Sequence, residues 1–231
     1  MDESQNKKDW LLPGSIIAAA LLVSGALVYN VGYRGLPADQ QANLAATVSP
    51  TDISDDDVVL GNPDAPVTVV EFGDYQCPFC ARFFKEVEPK LREEYIKTGK
   101  VKMIYRDFAF LGPESIDAAM ASQCAAEQKN FWGYHDALFA AESLDGKEHN
   151  GNLSEQLFKT IASGLGLDRN RFDACLSSQK YFKEIEKDYN DGVAAGVRGT
   201  PATFVNGKLL SGAVAYSSFR NLIEEALTAA R

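Results

Sequence analysis

The segment Val67-Thr68-Val69-Val70-Glu71-Phe72-Gly73-Asp74-Tyr75-Gln76-Cys77-Pro78-Phe79-Cys80 constrains the fold of this chain more than any other. Its first six residues are β-branched or apolar apart from Glu71, and read as a buried strand. Gly73-Asp74 ends that strand. Beyond the cysteines, Phe83, Phe84, Val87, Leu91 and Tyr95 recur at helical spacing. A C-x-x-C pair therefore sits where a strand hands over to a helix, with Pro78 at the first helical position, where its missing N–H costs nothing. A thiolate at Cys77 would face unpaired backbone N–H groups and the positive end of the helix dipole. Such surroundings lower a cysteine pKa below its free value of about 8.5 and make the sulfur reactive.

Three chemistries compete for that motif. A structural zinc site needs a second ligand pair at short spacing, and neither Cys124, Cys175 nor either histidine supplies one. An inert disulfide is open to any such pair, but C-x-x-C beside a βα pattern is a redox signature. Reversible thiol–disulfide chemistry is the expectation.

Together with Gly199-Thr200-Pro201 and Phe204-Val205-Asn206-Gly207 far downstream, the segment from Val69 to Cys80 resembles the DsbA-like branch of the thioredoxin superfamily, over roughly residues 57–231. The resemblance implies an α/β thioredoxin-like fold with a helical insertion at about 113–196. It also implies a cis Pro201 in a loop packed against the disulfide, and a Thr200 backbone offered to an extended client peptide. Where the best-studied oxidases of that group carry histidine between the cysteines, this chain has Phe79.

The rest of the chain fits that plan. Val58-Val59-Leu60 reads as a first short strand, Val101–Tyr105 as a strand parallel to the one before Cys77, and 113–196 as a series of helical segments with a polar loop at 145–151. Pro89 is expected to kink the helix after Cys80 near Lys85. Asn206-Gly207 between two apolar runs is a hairpin signal, and Phe219, Leu222, Ile223 and Leu227 mark a final amphipathic helix. Upstream, Lys7 and Lys8 precede an uncharged run of 24 residues, Trp10 to Tyr33, long enough to span a bilayer. Residues 1–9 are expected in the cytoplasm, 10–33 as a retained transmembrane anchor, 34–56 as a flexible linker and 57–231 as the catalytic domain. The competing reading of 10–33 is a cleaved signal peptide; either way the domain lies outside the cytoplasm. A net charge of −9 without a basic patch argues against nucleic acid.

Candidate residues follow. Cys77 is expected to be the exchanging sulfur and Cys80, one turn deeper, the resolving one. Glu71, an acid inside an apolar strand, is expected to have a raised pKa and to pass protons to or from Cys80; the alternative is a carboxylate that merely reaches water. Phe79, Tyr75 and Phe110 are candidates for an apolar client-binding surface, although aromatic residues in such places more often pack in the core or at its rim. Cys124 and Cys175 point inward from apolar helix stripes, as a structural disulfide or as two buried thiols, and a disulfide suits an oxidising compartment. His135, among aromatics, reads as helix packing. The expectation is a membrane-tethered, extracytoplasmic thiol–disulfide oxidoreductase, monomeric, needing no cofactor or metal, that oxidises cysteines of exported proteins. The resemblance implies onward electron transfer to a quinone-linked membrane partner. A reductase or isomerase with the same motif is the alternative, although the segment before Val58 leaves no room for an isomerase's dimerisation domain. From a different class, a chaperone-like peptide-binding module could use the same groove.

Overall fold

The computed structural model describes residues 51–230 apart from 143–146 and 149; the expected anchor at 10–33 and most of the linker lie outside them. Among the described residues no helix is long and apolar enough to cross a membrane. Four strands, β1 (Val67–Gly73), β2 (Val101–Asp107), β3 (Ala202–Val205) and β4 (Lys208–Ser211), form one sheet in the order β2-β1-β3-β4. β1 and β2 run parallel, in register from Val67–Val101 to Gly73–Asp107. β3 lies antiparallel to β1 and to β4. The hairpin between β3 and β4 turns on Asn206 (φ 43°) and Gly207 (φ 84°), the left-handed pair that matches strand twist. Asn206 also docks the turn on β1: its Oδ1 accepts from the Thr68 N–H at 2.7 Å, and its own N–H donates to the Thr68 carbonyl.

Alternation along β1 sorts its side chains onto two faces. Val67 and Val69 pack with Phe83, Val87, Leu91, Phe219 and Ile223, beneath α1 (Pro78–Glu86), α2 (Glu88–Leu91) and the C-terminal α8 (Tyr216–Ala229). Val70 and Phe72 face the other way, onto Ile104, Phe108, Val197 and Phe204. On that side α7 (Phe182–Ala194) approaches so closely that a Cβ on Gly192 would lie 2.7 Å from the Phe108 ring.

Pro89 breaks the first helix rather than bending it. α1 stops at Glu86, Val87 leaves ideal helical geometry (φ −107°), and α2 resumes at Glu88. The proline has no N–H for the Lys85 carbonyl, which places the break between the two. The chain then widens into a π-helical turn, Arg92–Ile96.

Between β2 and β3 come α3 (Pro113–Ala126), α4 (Phe131–Glu142), α5 (Glu155–Gly164), α6 (Arg169–Ser178) and α7, which form the helical insertion. Their starts follow local rules: Pro113 opens α3, the Ser154 hydroxyl caps α5 by accepting from the Leu157 N–H, and Asp168 caps α6 by accepting from the Arg171 N–H. A disulfide joins Cys124 of α3 to Cys175 of α6, with Cα atoms 5.8 Å apart.

Two expectations need correction. Val58–Leu60 is not a strand; only Leu60 pairs, as an isolated antiparallel bridge to Met103. Gly61 (φ 98°) turns the chain away at once, and the Val58 carbonyl is taken by the Trp132 indole N–H. The expected linker is also docked earlier than 57: the Asp52 carbonyl and the Asp57 carboxylate both accept from the buried Arg106 guanidinium, which needs such partners.

Candidate functional site

Cys77 is the N-cap of α1 and Pro78 its first residue, so the sulfur stands at the open end of the helix. The loop before it is held by Asp74. This buried carboxylate accepts from the backbone N–H groups of Gln76, Phe110 and Leu111 and from the Ser115 hydroxyl, and the Asp74 carbonyl accepts from the Cys77 N–H. One side chain thus pins the loop of Cys77 to the start of the helical insertion.

Both thiols of the pair are free, Cys77 4% exposed and Cys80 not at all. The Cys77 thiol donates to the Thr200 carbonyl at 3.5 Å, and the Thr200-Pro201 peptide bond is cis. That loop therefore packs directly on the outer sulfur. The Cys77 thiol is lowered to about 6: the Cys80 thiol hydrogen-bonds the thiolate, and the Thr200 side chain and the N–H groups of Cys80 and Phe79 add to the pull, against the opposing effect of burial. The thiolate form of Cys77 is thereby favoured at neutral pH. Cys80 moves the other way, pushed well up by burial, by its bond to Cys77 and by the charges of Cys77 and Glu71. The two sulfurs of one motif are thus split into a stable anion outside and a stable thiol inside.

Glu71 lies on β1, opposite Tyr105 of β2 and Thr203 of β3 in register. It is buried, and neither carboxyl oxygen has a hydrogen-bond partner. Burial foremost, then the charges of Glu88 and Cys77, hold its carboxyl well above the usual range, with Arg92 opposing. Phe79 is 53% exposed beside the motif, and Phe110 is exposed too. Tyr75 takes the core alternative rather than the client surface: its ring packs on Tyr105, Phe139 and His135. His135 is wholly buried in that aromatic group, its Nδ1 within 3.0 Å of Asp136.

Periodicity could not reveal three further features. Arg82 places its guanidinium 5.3 Å over the Phe79 ring and donates to the Ala213 carbonyl, so a positive charge stands beside the position that lacks histidine. Asp74 organises the loop as described. The third is a cluster of Glu88, His135 and Asp136, whose ligand atoms lie within 4.8 Å of one another. There Arg92 bonds Glu88 Oε1 and both Asp136 oxygens, and its guanidinium supplies the positive charge that a metal ion would otherwise bring.

A βα junction bearing a buried C-x-x-C, a depressed outer thiol and a cis-proline loop against that thiol is the site of a protein thiol–disulfide oxidoreductase. The family model described as "Thioredoxin" matches residues 54–225, well over half the chain. The chain belongs to the thioredoxin superfamily, in its DsbA-like branch. It is 34% identical over 154 residues to the probable disulfide bond formation protein D of Bacillus anthracis, covering 65% of this chain and 70% of that protein. The crystal structure of oxidised BdbD from Bacillus subtilis superposes with a TM-score of 0.71 at 30% identity, covering 78% of this chain and 98% of that one. For alpha-DsbA1 of Wolbachia pipientis the TM-score is 0.68 at 26% identity, covering 77% and 94%.

Proposed function

We propose that this oxidoreductase works as an oxidant of cysteines in exported proteins, on the outer side of a membrane to which residues 10–33 anchor it. The observation that carries this reading is the placement of the two sulfurs, Cys77 at the open N-terminal end of α1 against the cis-proline loop and Cys80 fully buried one turn inside. A thiolate lowered to about 6 at Cys77 stabilises the reduced protein and makes Cys77 a good leaving group, and both properties push electrons onto the enzyme.

The steps balance as follows. A client thiolate attacks the Cys77 sulfur of the oxidised enzyme. A new S–S bond forms, the Cys77–Cys80 bond breaks, and the electron pair moves to Cys80. Cys80, whose thiol form is strongly favoured, takes a proton from the buried Glu71 carboxyl. A second client thiolate then attacks the client sulfur of the mixed disulfide and expels Cys77 as thiolate. The client leaves oxidised and the enzyme is reduced by two electrons, which a quinone-linked membrane partner would collect. The Thr200 backbone, beside Cys77, would pair with an extended client whatever its sequence, and the exposed Phe79 and Phe110 rings would add apolar contact.

An unfolded client with two reduced cysteines, mixed with one equivalent of the oxidised protein, tests this. The client should gain one intramolecular disulfide while Cys77 and Cys80 become accessible to thiol reagent after denaturation. A client left reduced, with the protein still oxidised, would end the oxidase reading.

A further inference from the structure

We propose that the apolar cleft between α7 and the chain leading from β2 into α3 is a docking site for client segments. It takes an apolar side chain about six residues along the client from the reacting cysteine. The proposal rests on the client-oxidation reading given above and names what the protein holds of a client besides its cysteine.

Exposed apolar surface is concentrated there. Of the seven large apolar side chains that stand exposed among the described residues, four are Phe110, Phe182, Tyr189 and Val193. Phe110 follows β2, and the other three fall on one stripe of α7. Phe110 and Ile116 form one wall of a cleft of about 260 Å³, and Phe182, Ile185 and Tyr189 form the other. Among the described residues that line it, only Glu186 is charged. The buried Phe108 ring fixes both walls, its centroid 5.6 Å from that of Phe110 and 4.6 Å from that of Tyr189. The cleft is therefore preformed, which keeps the ordering cost of binding low. A clustered apolar patch of this kind marks an interaction site.

Two links tie the cleft to the reacting sulfur. The Phe110 N–H donates to Asp74 Oδ2 at 3.0 Å, and the Asp74 carbonyl accepts from the Cys77 N–H at 3.0 Å. At the end of the α7 stripe, the Val193 carbonyl accepts from Arg198 Nη1 at 3.1 Å. Arg198 stands two residues before Thr200, whose carbonyl meets the Cys77 thiol. The cleft is thus continuous with the redox site, on the sheet face opposite the one that α1 covers. Helix rise along α7 and the two residues from Arg198 to Thr200 put its centre roughly 20 Å from Cys77, about six residues of extended chain. Size and chemistry name the occupant. At about 260 Å³ the space is smaller than the roughly 300–1,000 Å³ of small-molecule sites, and with one charged group it fits an apolar side chain rather than a cofactor. A chain whose cysteines are still reduced and within reach is one whose apolar residues are still unburied, and it is the partner that the adjacent chemistry requires.

Peptides with two cysteines test this, one carrying two leucines about six residues from the nearer cysteine and its partner carrying serines there. The leucines lie on the amino side in one series and on the carboxyl side in a second. Each peptide is mixed with the oxidised protein, and the second-order rate is read from the loss of peptide thiol. In one of the two series the wild type should oxidise the leucine peptide at least about fivefold faster than the serine peptide. With Phe182→Ser and Tyr189→Ser together that ratio should fall toward one. Leu209→Ser, at an exposed apolar residue of β4 outside the cleft, should keep it. Phe182→Ser alone, at a residue 47% exposed, should reduce the ratio and decides the matter if the double variant does not fold. A wild-type ratio near one in both series, or a ratio unmoved by the cleft substitutions, would overturn the proposal and leave the oxidase reading standing. Oxidation of neither peptide would overturn both. A wild type without the preference that sediments as a dimer, and as a monomer once Phe182 and Tyr189 are serine, would give the cleft to a second copy and overturn the proposal too.

Discussion

Cys77→Ser abolishes disulfide exchange, whereas Cys80→Ser accumulates mixed disulfides with clients: this asymmetry is the expected result of substituting the two sulfurs one at a time. Cys77 lies at the helix end against Thr200, the outer of the two sulfurs at 4% exposure, with its thiol lowered to about 6. Cys80 is fully buried and held as a thiol. Without Cys77 no sulfur remains within a client's reach. Without Cys80, Cys77 can still join a client, but the intramolecular thiol that would reverse the link is gone. Non-reducing gels of both variants after exposure to a reduced client separate the outcomes. Labelling of Cys77 in the Cys80→Ser variant adds a check: the midpoint should stay below the free-thiol value of about 8.5, because the substituted hydroxyl can still donate to the Cys77 anion and the contributions of Thr200 and the helix N–H groups remain. Trapping by Cys77→Ser instead would reverse the assignment.

Removing the second pair, by Cys124→Ala with Cys175→Ala, should cost stability without costing turnover. The bond ties α3 to α6 across a sequence separation of 51. Chain-entropy arguments make closure of a loop that long worth about 4 kcal/mol. For a domain of this size each kcal/mol moves the melting temperature by about 2–4 °C, so a fall of roughly 8–16 °C is expected. Thermal unfolding followed by circular dichroism measures it, beside the rate of client oxidation at a temperature where both proteins are folded. An unchanged melting temperature, or a matching collapse of the exchange rate, would contradict a purely stabilising bond.

The parts of this molecule legible in its sequence are those set by short-range rules. The change from strand to helical period around Cys77, the Asn206-Gly207 turn and the apolar stripes of the helices each depend on residues a few places apart, and each element stands where those rules put it. The failures involve partners brought together only by folding. Val58–Leu60 has strand composition, but Gly61 and the Trp132 indole decide its fate, the latter 74 residues away. For Tyr75 the choice between client surface and core was open in the sequence and is made by Phe139 and His135 of α4. Arg92 bonds Asp136 across 44 residues, and no periodicity marks a guanidinium destined to pair with two carboxylates. Glu71 was visible because an acid inside an apolar strand is conspicuous; Glu88, one polar residue among several on a helix, was not.

The reduction potential of the Cys77–Cys80 couple tests the central claim most directly. The structure supplies a helix N-terminus, the Thr200 side chain and the Cys80 thiol to stabilise the Cys77 anion, and Arg82 beside Phe79 stands near the place where the best-studied oxidases of the group carry histidine. The folded Cys77 pKa lies below its unfolded value. The extra stability of the reduced form is therefore fully present above about pH 8.5 and lost as pH falls through the folded value, which is about 6. Equilibration with glutathione buffers near neutral pH, read by thiol labelling, should give a potential below the roughly −120 mV of the strongest oxidants of this kind and clearly above the roughly −270 mV of thioredoxin. Its excess over an ordinary dithiol should fade as the buffer is acidified through pH 6. A potential at or below that of thioredoxin would make the protein a reductase and contradict the account.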